Sequence, residues 1–280
     1  SMRALITGGA GLLGSELARC TPAGWSTEVT IRERPASAGL KAHRVDLAQP
    51  LAAFDLVERR RPDVVIHTAY SKTDQRLTVD STTEVAAACA ALDIALVHVS
   101  TDALFDGDHA PYAESAEPAP IHAYGRAKAL AEAAVREACP DAAIVRTSLI
   151  LAPDGTDSTS AWVVDRLRSG ERVTLFDDEF RAPILVDDLA SQLWDIVSLP
   201  AGERSGVWHL VGPERLSRVD VGRILCRRFG LDESLIDVAS AASMGEPRPR
   251  DVTLSSERSS RLPCQARPIG KVSAHGETNR

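Results

Sequence analysis

The amino-acid sequence predicts an α/β protein, a doubly wound parallel sheet with a smaller carboxyl-terminal α/β lobe. Three observations predict it. Short apolar runs alternate with longer runs of helical composition through the first half of the chain. The runs at 64–67 and 94–99 are apolar almost throughout rather than alternating, as strands covered on both faces require. The first apolar run passes directly into a glycine-rich turn and a helical run, the strand–turn–helix order of doubly wound sheets.

In chain order, 3–7 reads as a strand, 12–20 as a helix and 28–31 as a strand. A third short strand is expected at 45–47, ending near Asp46. Residues 51–61 read as a helix, with Leu51, Phe54, Leu56 and Val57 apolar. Strand 64–67, helix 80–91 and strand 94–99 follow, the last running into Ser100-Thr101-Asp102. His67 and His98 lie on these apolar strands and read as core histidines satisfied by backbone partners. Pro118 and Pro120 precede a helix over 123–139, where proline can lead a helix but not sit inside it. The run is rich in Ala, Leu, Glu, Lys and Arg, all good helix formers but for few exceptions. Strand 142–148, a polar loop over 152–160, helix 161–168, strand 173–176, helix 186–198, strand 207–211 and helix 218–229 complete the pattern. From 239 onward the chain is rich in Pro, Ser and Arg. The stretch 263–280 lacks periodicity and is expected to be disordered.

The 280 residues carry a net charge of −7 and 44% hydrophobic residues. There is no basic stripe of the kind that binds nucleic acid, and no apolar run of membrane length. Ser1 ahead of Met2 reads as an expression remnant, with Met2 the expected start. Cys20, Cys89, Cys139, Cys226 and Cys264 are scattered with no Cys-x-x-Cys spacing. That predicts a reducing compartment, the cytoplasm, with neither disulfides nor a zinc site. Asp102, Asp106 and Asp108 lack the glycine and terminal glutamate of a calcium loop, so no metal is expected.

Gly8, Gly11 and Gly14 are spaced Gly-x-x-Gly-x-x-Gly at the first strand–helix junction. Glycines allow a tight turn and close approach to a pyrophosphate, and a helix amino terminus presents free N–H groups to it. The next strand ends in Arg32-Glu33-Arg34. A carboxylate there selects the ribose of NAD, whereas an arginine accommodates a 2′-phosphate. Arg32, helped by Arg34, therefore predicts NADPH, with NADH possible. Tyr124 and Lys128 stand four apart and share one helix face. A nearby ammonium favours the phenolate, so the pair is a candidate general acid/base. Gly8, Arg32, Asp46, Ala69 and Thr101 all fall at strand carboxyl ends, where such sheets bind ligands.

These stretches resemble the extended short-chain dehydrogenase/reductases, and within them the dTDP-4-dehydrorhamnose reductase family. The resemblance rests on residues 7–14, Arg61-Pro62-Asp63-Val64-Val65, Ser100-Thr101-Asp102-Ala103-Leu104-Phe105-Asp106-Gly107, Tyr124-Gly125-Arg126-Ala127-Lys128 and Arg146-Thr147-Ser148. Ala182-Pro183, Asp187-Asp188-Leu189-Ala190, Trp208-His209-Leu210 and Arg248-Pro249-Arg250 add to it. The block from Ser100 to Gly107 is the most specific. The resemblance implies a Rossmann domain for NADP over 1–152 and 183–212, and a substrate lobe over 153–182 and 213–262. It implies that Tyr124 is the catalytic acid, that Lys128 holds the nicotinamide ribose and lowers the tyrosine pKa, and that Thr101 binds the reacting carbonyl. Gly8, Gly11, Leu12, Leu13 and Gly14 would cradle the pyrophosphate. Asp46 and Leu47 would border the adenine, and Ala69, Tyr70 and Ser100 the inner part of the cofactor. Arg181 stands where the family often has a small residue, and the family's closing helix has no counterpart after Leu262.

The implied activity is reduction of a nucleotide-linked 4-keto-6-deoxy sugar, dTDP-4-dehydrorhamnose foremost. A reductase or epimerase of another keto sugar nucleotide is one alternative. A non-catalytic NADP-binding regulatory subunit, like that of methionine adenosyltransferase, is another. The substrate's diphosphate calls for guanidinium groups, and Arg181, Arg248 and Arg250 are the candidates, with Asp102 beside Thr101. Trp162 and Phe180 are placed to pack on base or sugar. A monomer or homodimer is expected.

Overall fold

The computed structural model describes residues 1–279. The first half contains β1 (Met2–Thr7), α1 (Leu12–Arg19), β2 (Trp25–Ile31), β3 (Lys41–Arg44), α2 (Ala52–Arg60), β4 (Val64–His67), α3 (Gln75–Leu92) and β5 (Ala95–Thr101). Then come α4 (Ala123–Ala138), β6 (Ala143–Thr147), β7 (Ile150–Leu151), α5 (Ser158–Arg168), β8 (Val173–Phe176), β9 (Phe180–Arg181) and β10 (Ile184–Leu185). The chain continues with α6 (Val186–Val197), α7 (Ala201–Arg204), β11 (Gly206–Leu210), β12 (Leu216–Ser217), α8 (Arg218–Phe229) and β13 (Ile236–Ala239).

Seven strands form one sheet in the order β11-β6-β5-β4-β1-β2-β3, every pair parallel. The order reverses between β1 and β4, which opens a crevice at the strands' carboxyl ends. Successive residues of a strand face opposite sides, so each strand feeds two cores. Ala4 and Ile6 pack with Leu17, Leu189 and Leu193 under α1 and α6. Leu5 packs with Leu56, Val85 and Val135 under α2, α3 and α4. Trp194 closes the first layer: its ring lies 5.5 Å from that of Trp25, and its indole N–H donates to the Leu17 carbonyl at 3.0 Å.

A second core joins α5, α8 and β8 through Val163, Leu167, Val173, Leu175 and Leu225. There β8 pairs in parallel with β13, and β9 pairs antiparallel with β12. This lobe roofs the crevice. Among the described residues no helix is long and apolar enough to cross a membrane.

Besides extra short elements such as β13 and an earlier start of α5, the structure departs from the sequence reading in three places with a clear cause. The third strand is β3, before residues 45–47. Asp46 instead bends the chain by accepting the Ala48 N–H at 3.0 Å, a side-chain turn that competes with strand pairing. Helix α3 starts earlier than expected because Asp74 caps it, accepting from Leu77 N–H at 3.0 Å. The tail at 263–279 is packed, not free. Ile269 and Val272 are buried in the lobe core, and Arg267 bonds Asp187, Asp188 and the Gly276 carbonyl. Its anchors are two apolar residues, the Arg267 cluster and the Cys264 backbone bonded to Asp195 and Gln192, none of which local periodicity reveals.

Arg267→Ala leaves Asp188, 5% exposed, without its cation. A broken charged hydrogen bond costs about 1.5–3 kcal/mol. The expected outcome is a clear fall in Tm and faster proteolysis after Leu262. An unchanged Tm would show that the tail does not dock in solution.

Candidate active site

At the first strand–helix junction the backbone is folded on itself. A Cβ on Gly14 would stand 2.1 Å from the Gly8 carbonyl oxygen, and one on Gly9 2.4 Å from Val29 Cβ. Gly9, not singled out from the sequence, is thus as constrained as the three spaced glycines; its signal is packing against β2, which spacing does not show. Gly11 caps α1 with no side-chain hydrogen bond. The first N–H groups of α1 therefore face the crevice unpaired, as an anion site at a helix terminus needs. The turn suits a dinucleotide pyrophosphate, and Leu12 and Leu13 flank it.

The far end of the cleft is lined by Arg32, Arg34, Asp46 and Leu47. Arg32 is half exposed and stands 3.7 Å from Asp46, a loose surface pair worth little and open to a phosphate. Ala69 and Tyr70 line the middle. Their backbone is held from below by Thr7, whose Oγ accepts from the N–H groups of Thr68 and Ala69. The Thr7 hydroxyl proton therefore goes to His67 Nδ1 at 2.7 Å, and Nε2–H donates to Thr82 Oγ at 2.9 Å. Burial pushes His67 down to about 3, so it is neutral. Its partners are side chains, not the backbone groups expected. His98, also fully buried, has no hydrogen-bond partner at either nitrogen among the described residues.

The reacting end gathers three elements. His122 caps α4, its Nδ1 accepting the Gly125 N–H at 2.9 Å. Gly125 lets α4 press on the Ala103 carbonyl, 2.3 Å from where a Cβ would sit. That contact brings the segment after β5 against the start of α4, and Thr101 against Tyr124. Thr101 Oγ accepts from the Ala103 N–H at 3.1 Å and donates to Asp102 at 3.4 Å, and both Thr101 and Tyr124 line the cleft. Burial raises the Tyr124 pKa above its ordinary value, and Tyr70 and Asp102 add to the rise. The influences that lower it are Arg181 and the Thr101 hydroxyl. The cation expected to do so, Lys128, instead donates to the Val99 carbonyl at 3.1 Å, with the Tyr70 ring 5.6 Å away. Burial pulls Lys128 down to about 8, against the Glu132 carboxylate, which raises it. Ser100 lines the cleft, but its hydroxyl turns away to Glu132 at 2.6 Å.

The residues expected at the substrate divide. Phe180 lines the cleft with the Arg215 guanidinium 3.5 Å over its ring. Arg181 lines it too, yet two of its nitrogens grip Asp102 at 2.9 and 2.7 Å. Asp102, 1% exposed, also accepts from Ser148; it is the counter-ion of Arg181 rather than a free ligand. Arg248 makes a forked pair with Glu179, both bonds 2.9 Å. Trp162 is not brought to the cleft. It sits exposed on α5 with Arg166 stacked 4.5 Å over its ring, because the helix turns that face outward. Arg218, missed in the sequence, lines the cleft and makes no hydrogen bond through its guanidinium among the described residues. Burial and neighbouring Arg181 push it down to about 10. Its place is set by the capping box of Ser217 and Asp220 at the start of α8, a signal present in the sequence.

The glycine turn, Arg32, Tyr70, Thr101, Tyr124, Lys128 and Arg218 line one cleft of about 1470 Å³. That exceeds the roughly 300–1,000 Å³ of a single-ligand pocket, as a cofactor and a second substrate side by side require.

Gly14→Ala tests the cradle. A clash with backbone cannot relax through a rotamer and costs on the order of 1–3 kcal/mol, or about ten- to a hundredfold in NADPH affinity. Fluorescence titration of NADPH reads it, and an unchanged Kd would mean the turn is not the phosphate site.

Comparison with known proteins agrees with this geometry. The family model described as RmlD substrate binding domain matches residues 2–268. A dTDP-4-dehydrorhamnose reductase of Mycobacterium tuberculosis is 34% identical over 89% of this chain and 83% of its own length. A dTDP-4-keto-6-deoxy-D-glucose reductase of Streptomyces niveus is 33% identical over 90% of this chain and 88% of its own. A crystal structure of a hypothetical dTDP-4-dehydrorhamnose reductase from Sulfolobus tokodaii superposes with a TM-score of 0.83 at 26% identity, covering 96% of this chain and 98% of that one. With its glycine turn, its Thr101, Tyr124 and Lys128 cluster and this likeness along nearly its whole length, the chain belongs to the RmlD family of Rossmann-fold reductases.

Proposed function

We propose that this protein is an NADPH-dependent reductase of a nucleotide-linked 4-keto-6-deoxy sugar, with dTDP-4-dehydrorhamnose as the first substrate to test. The observation that carries the reading is the meeting of Thr101, Tyr124 and Lys128 beside a glycine turn in one double-sized cleft. The parts 1–152 and 183–212 would hold the cofactor, and the lobe the nucleotide sugar. The five free cysteines suit a reducing compartment such as the cytoplasm.

NADPH held along the glycine turn, Ala69, Tyr70 and Lys128 would supply the hydride chemistry for the keto carbon. The charge that builds on the carbonyl oxygen is met by the Thr101 hydroxyl and the Tyr124 phenol. Tyr124 gives its proton to that oxygen, completing the alcohol. Burial keeps the phenol protonated, and an alkoxide is a strong enough base to take that proton. Lys128 and the backbone at Ala69 and Tyr70 would hold the nicotinamide ribose. The diphosphate goes to Arg218, with Lys72 beside it, because Arg181 and Arg248 are already paired.

Tyr124→Phe removes the proton donor and should cut turnover by about 10²–10⁴-fold while NADPH still binds. NADPH oxidation against a panel of dTDP-4-keto sugars reads both the variant and the substrate. Turnover near the parent level in the variant would remove Tyr124 from the chemistry, and no oxidation with any panel member would remove the reading itself.

Two arginines divide the two ligands. Arg218→Ala should raise KM for the nucleotide sugar by about ten- to a hundredfold, the worth of one charge-assisted bond, with little change in KM for NADPH. Arg32→Asp should shift preference from NADPH toward NADH by a similar factor. If the two variants exchange these effects, or neither KM moves, the assignment of cleft ends is wrong.

A further inference from the structure

Behind Tyr124 and Lys128, on the same face of α4, lies Glu132, 1% exposed. Its carboxylate is claimed from three directions. Ser100 at the end of β5 donates to it at 2.6 Å. Arg146 on β6, 0% exposed, binds it through Nε and Nη2 at 3.1 and 3.0 Å. Arg136, one turn on, approaches to 3.6 Å. Arg146 then spends Nη1 on the Ala116 carbonyl at 3.1 Å and on His209. One carboxylate thus joins the strand that presents Thr101, the strand beside it and the helix that carries the tyrosine.

We propose that Glu132 is a positioning residue of this site: its buried carboxylate keeps Lys128, one helical turn away, as an ammonium and clamps Ser100, and through it Thr101, to the helix of Tyr124. The inference rests on the reading that Lys128 serves the cofactor. Lys128 is 3% exposed, and burial disfavours a cation. The groups that face it are Tyr124 and Glu132 on α4, His67 on β4, Tyr70 beyond β4, and His98 with the Val99 carbonyl on β5. Both histidines are held neutral by burial, and Tyr70 is a phenol whose burial raises its pKa. Arg146 and Arg136 are cations. Glu132 is therefore the carboxylate available to offset the desolvation of Lys128. Lys128 lies lowered to about 8 with the carboxylate present; without it the ammonium is lost at lower pH, as the folded pKa falls further.

The protein has four lysines, so lysine ¹³Cε NMR of the apoprotein resolves each titration, with Lys128 assigned from the Lys128→Arg spectrum. The expected midpoint of Lys128 is about 8. Glu132→Gln should lower it by about one pH unit or more, and NADPH affinity should then decline from a correspondingly lower pH. Glu132→Asp, which keeps the charge one methylene farther back, should give a smaller shift. An unmoved midpoint in folded Glu132→Gln overturns the proposal. If that variant does not fold, an unmoved midpoint in Glu132→Asp does so. Ser100→Ala keeps the charge and should leave the midpoint in place while lowering kcat several-fold; an unchanged kcat removes the clamp. The NMR titration needs neither cofactor nor sugar. A NADPH Kd unaffected by Lys128→Arg would instead undo the role of Lys128 on which the proposal stands.

Discussion

The Arg146–Glu132 ion pair holds the reacting end of the molecule together. Both partners are essentially without solvent contact. Burying two charges costs several kcal/mol per ion, and is tolerated only when every donor and lone pair finds a partner. Arg146 meets that condition. Two nitrogens take the carboxylate, and the third takes the Ala116 carbonyl. His209 completes the arrangement. Its Nδ1–H donates to the Ser255 carbonyl at 2.9 Å, which leaves Nε2 to face the guanidinium. The pair ties α4, β5, β6 and β11 into one block, so the spacing of Thr101 and Tyr124 is set by buried charge and not by the loops around them.

The cleft shows the opposite use of charge. Arg181 and Arg248 look alike in the sequence, as arginines near the substrate lobe. Forked pairing with Asp102 and Glu179 neutralises both, and a guanidinium gripping one carboxylate through two nitrogens has little left for a second anion. Arg218 has no such partner among the described residues. Its charge is desolvated by the lobe and opposed by neighbouring arginines, which raises its gain on meeting an anion. The pairing of Arg181 with Asp102 also places a cation near the Tyr124 phenol, a role expected of Lys128.

The layout around Gly125 explains how these charges meet a hydroxyl pair. Helix α4 approaches the Ala103 carbonyl too closely for any side chain. His122 ends the helix at that point, and Thr101 uses its oxygen to cap the short 3₁₀ turn at Asp102–Leu104. Its hydroxyl proton points to Asp102 at 3.4 Å, a long and weak bond.

Much of this was legible in the sequence, because it is written in local signals. Fully apolar strands, a glycine turn at the first junction and a Tyr–Lys pair on one helix face are short-range patterns; they placed the parallel sheet, and the glycine turn, Tyr124 and Lys128 do line one cleft. What the tertiary structure alone decided depends on partners far apart in the chain. Asp102 and Arg181 are 79 residues apart, Glu132 and Arg146 14, and Arg267 lies 79 from Asp188. Which arginine is spent and which is free, why the tail is ordered, and that Trp162 faces solvent follow from long-range charge pairing and helix orientation. A single sequence carries hydrophobic period and turn chemistry locally, whereas a charge finds its partner only after the chain has folded.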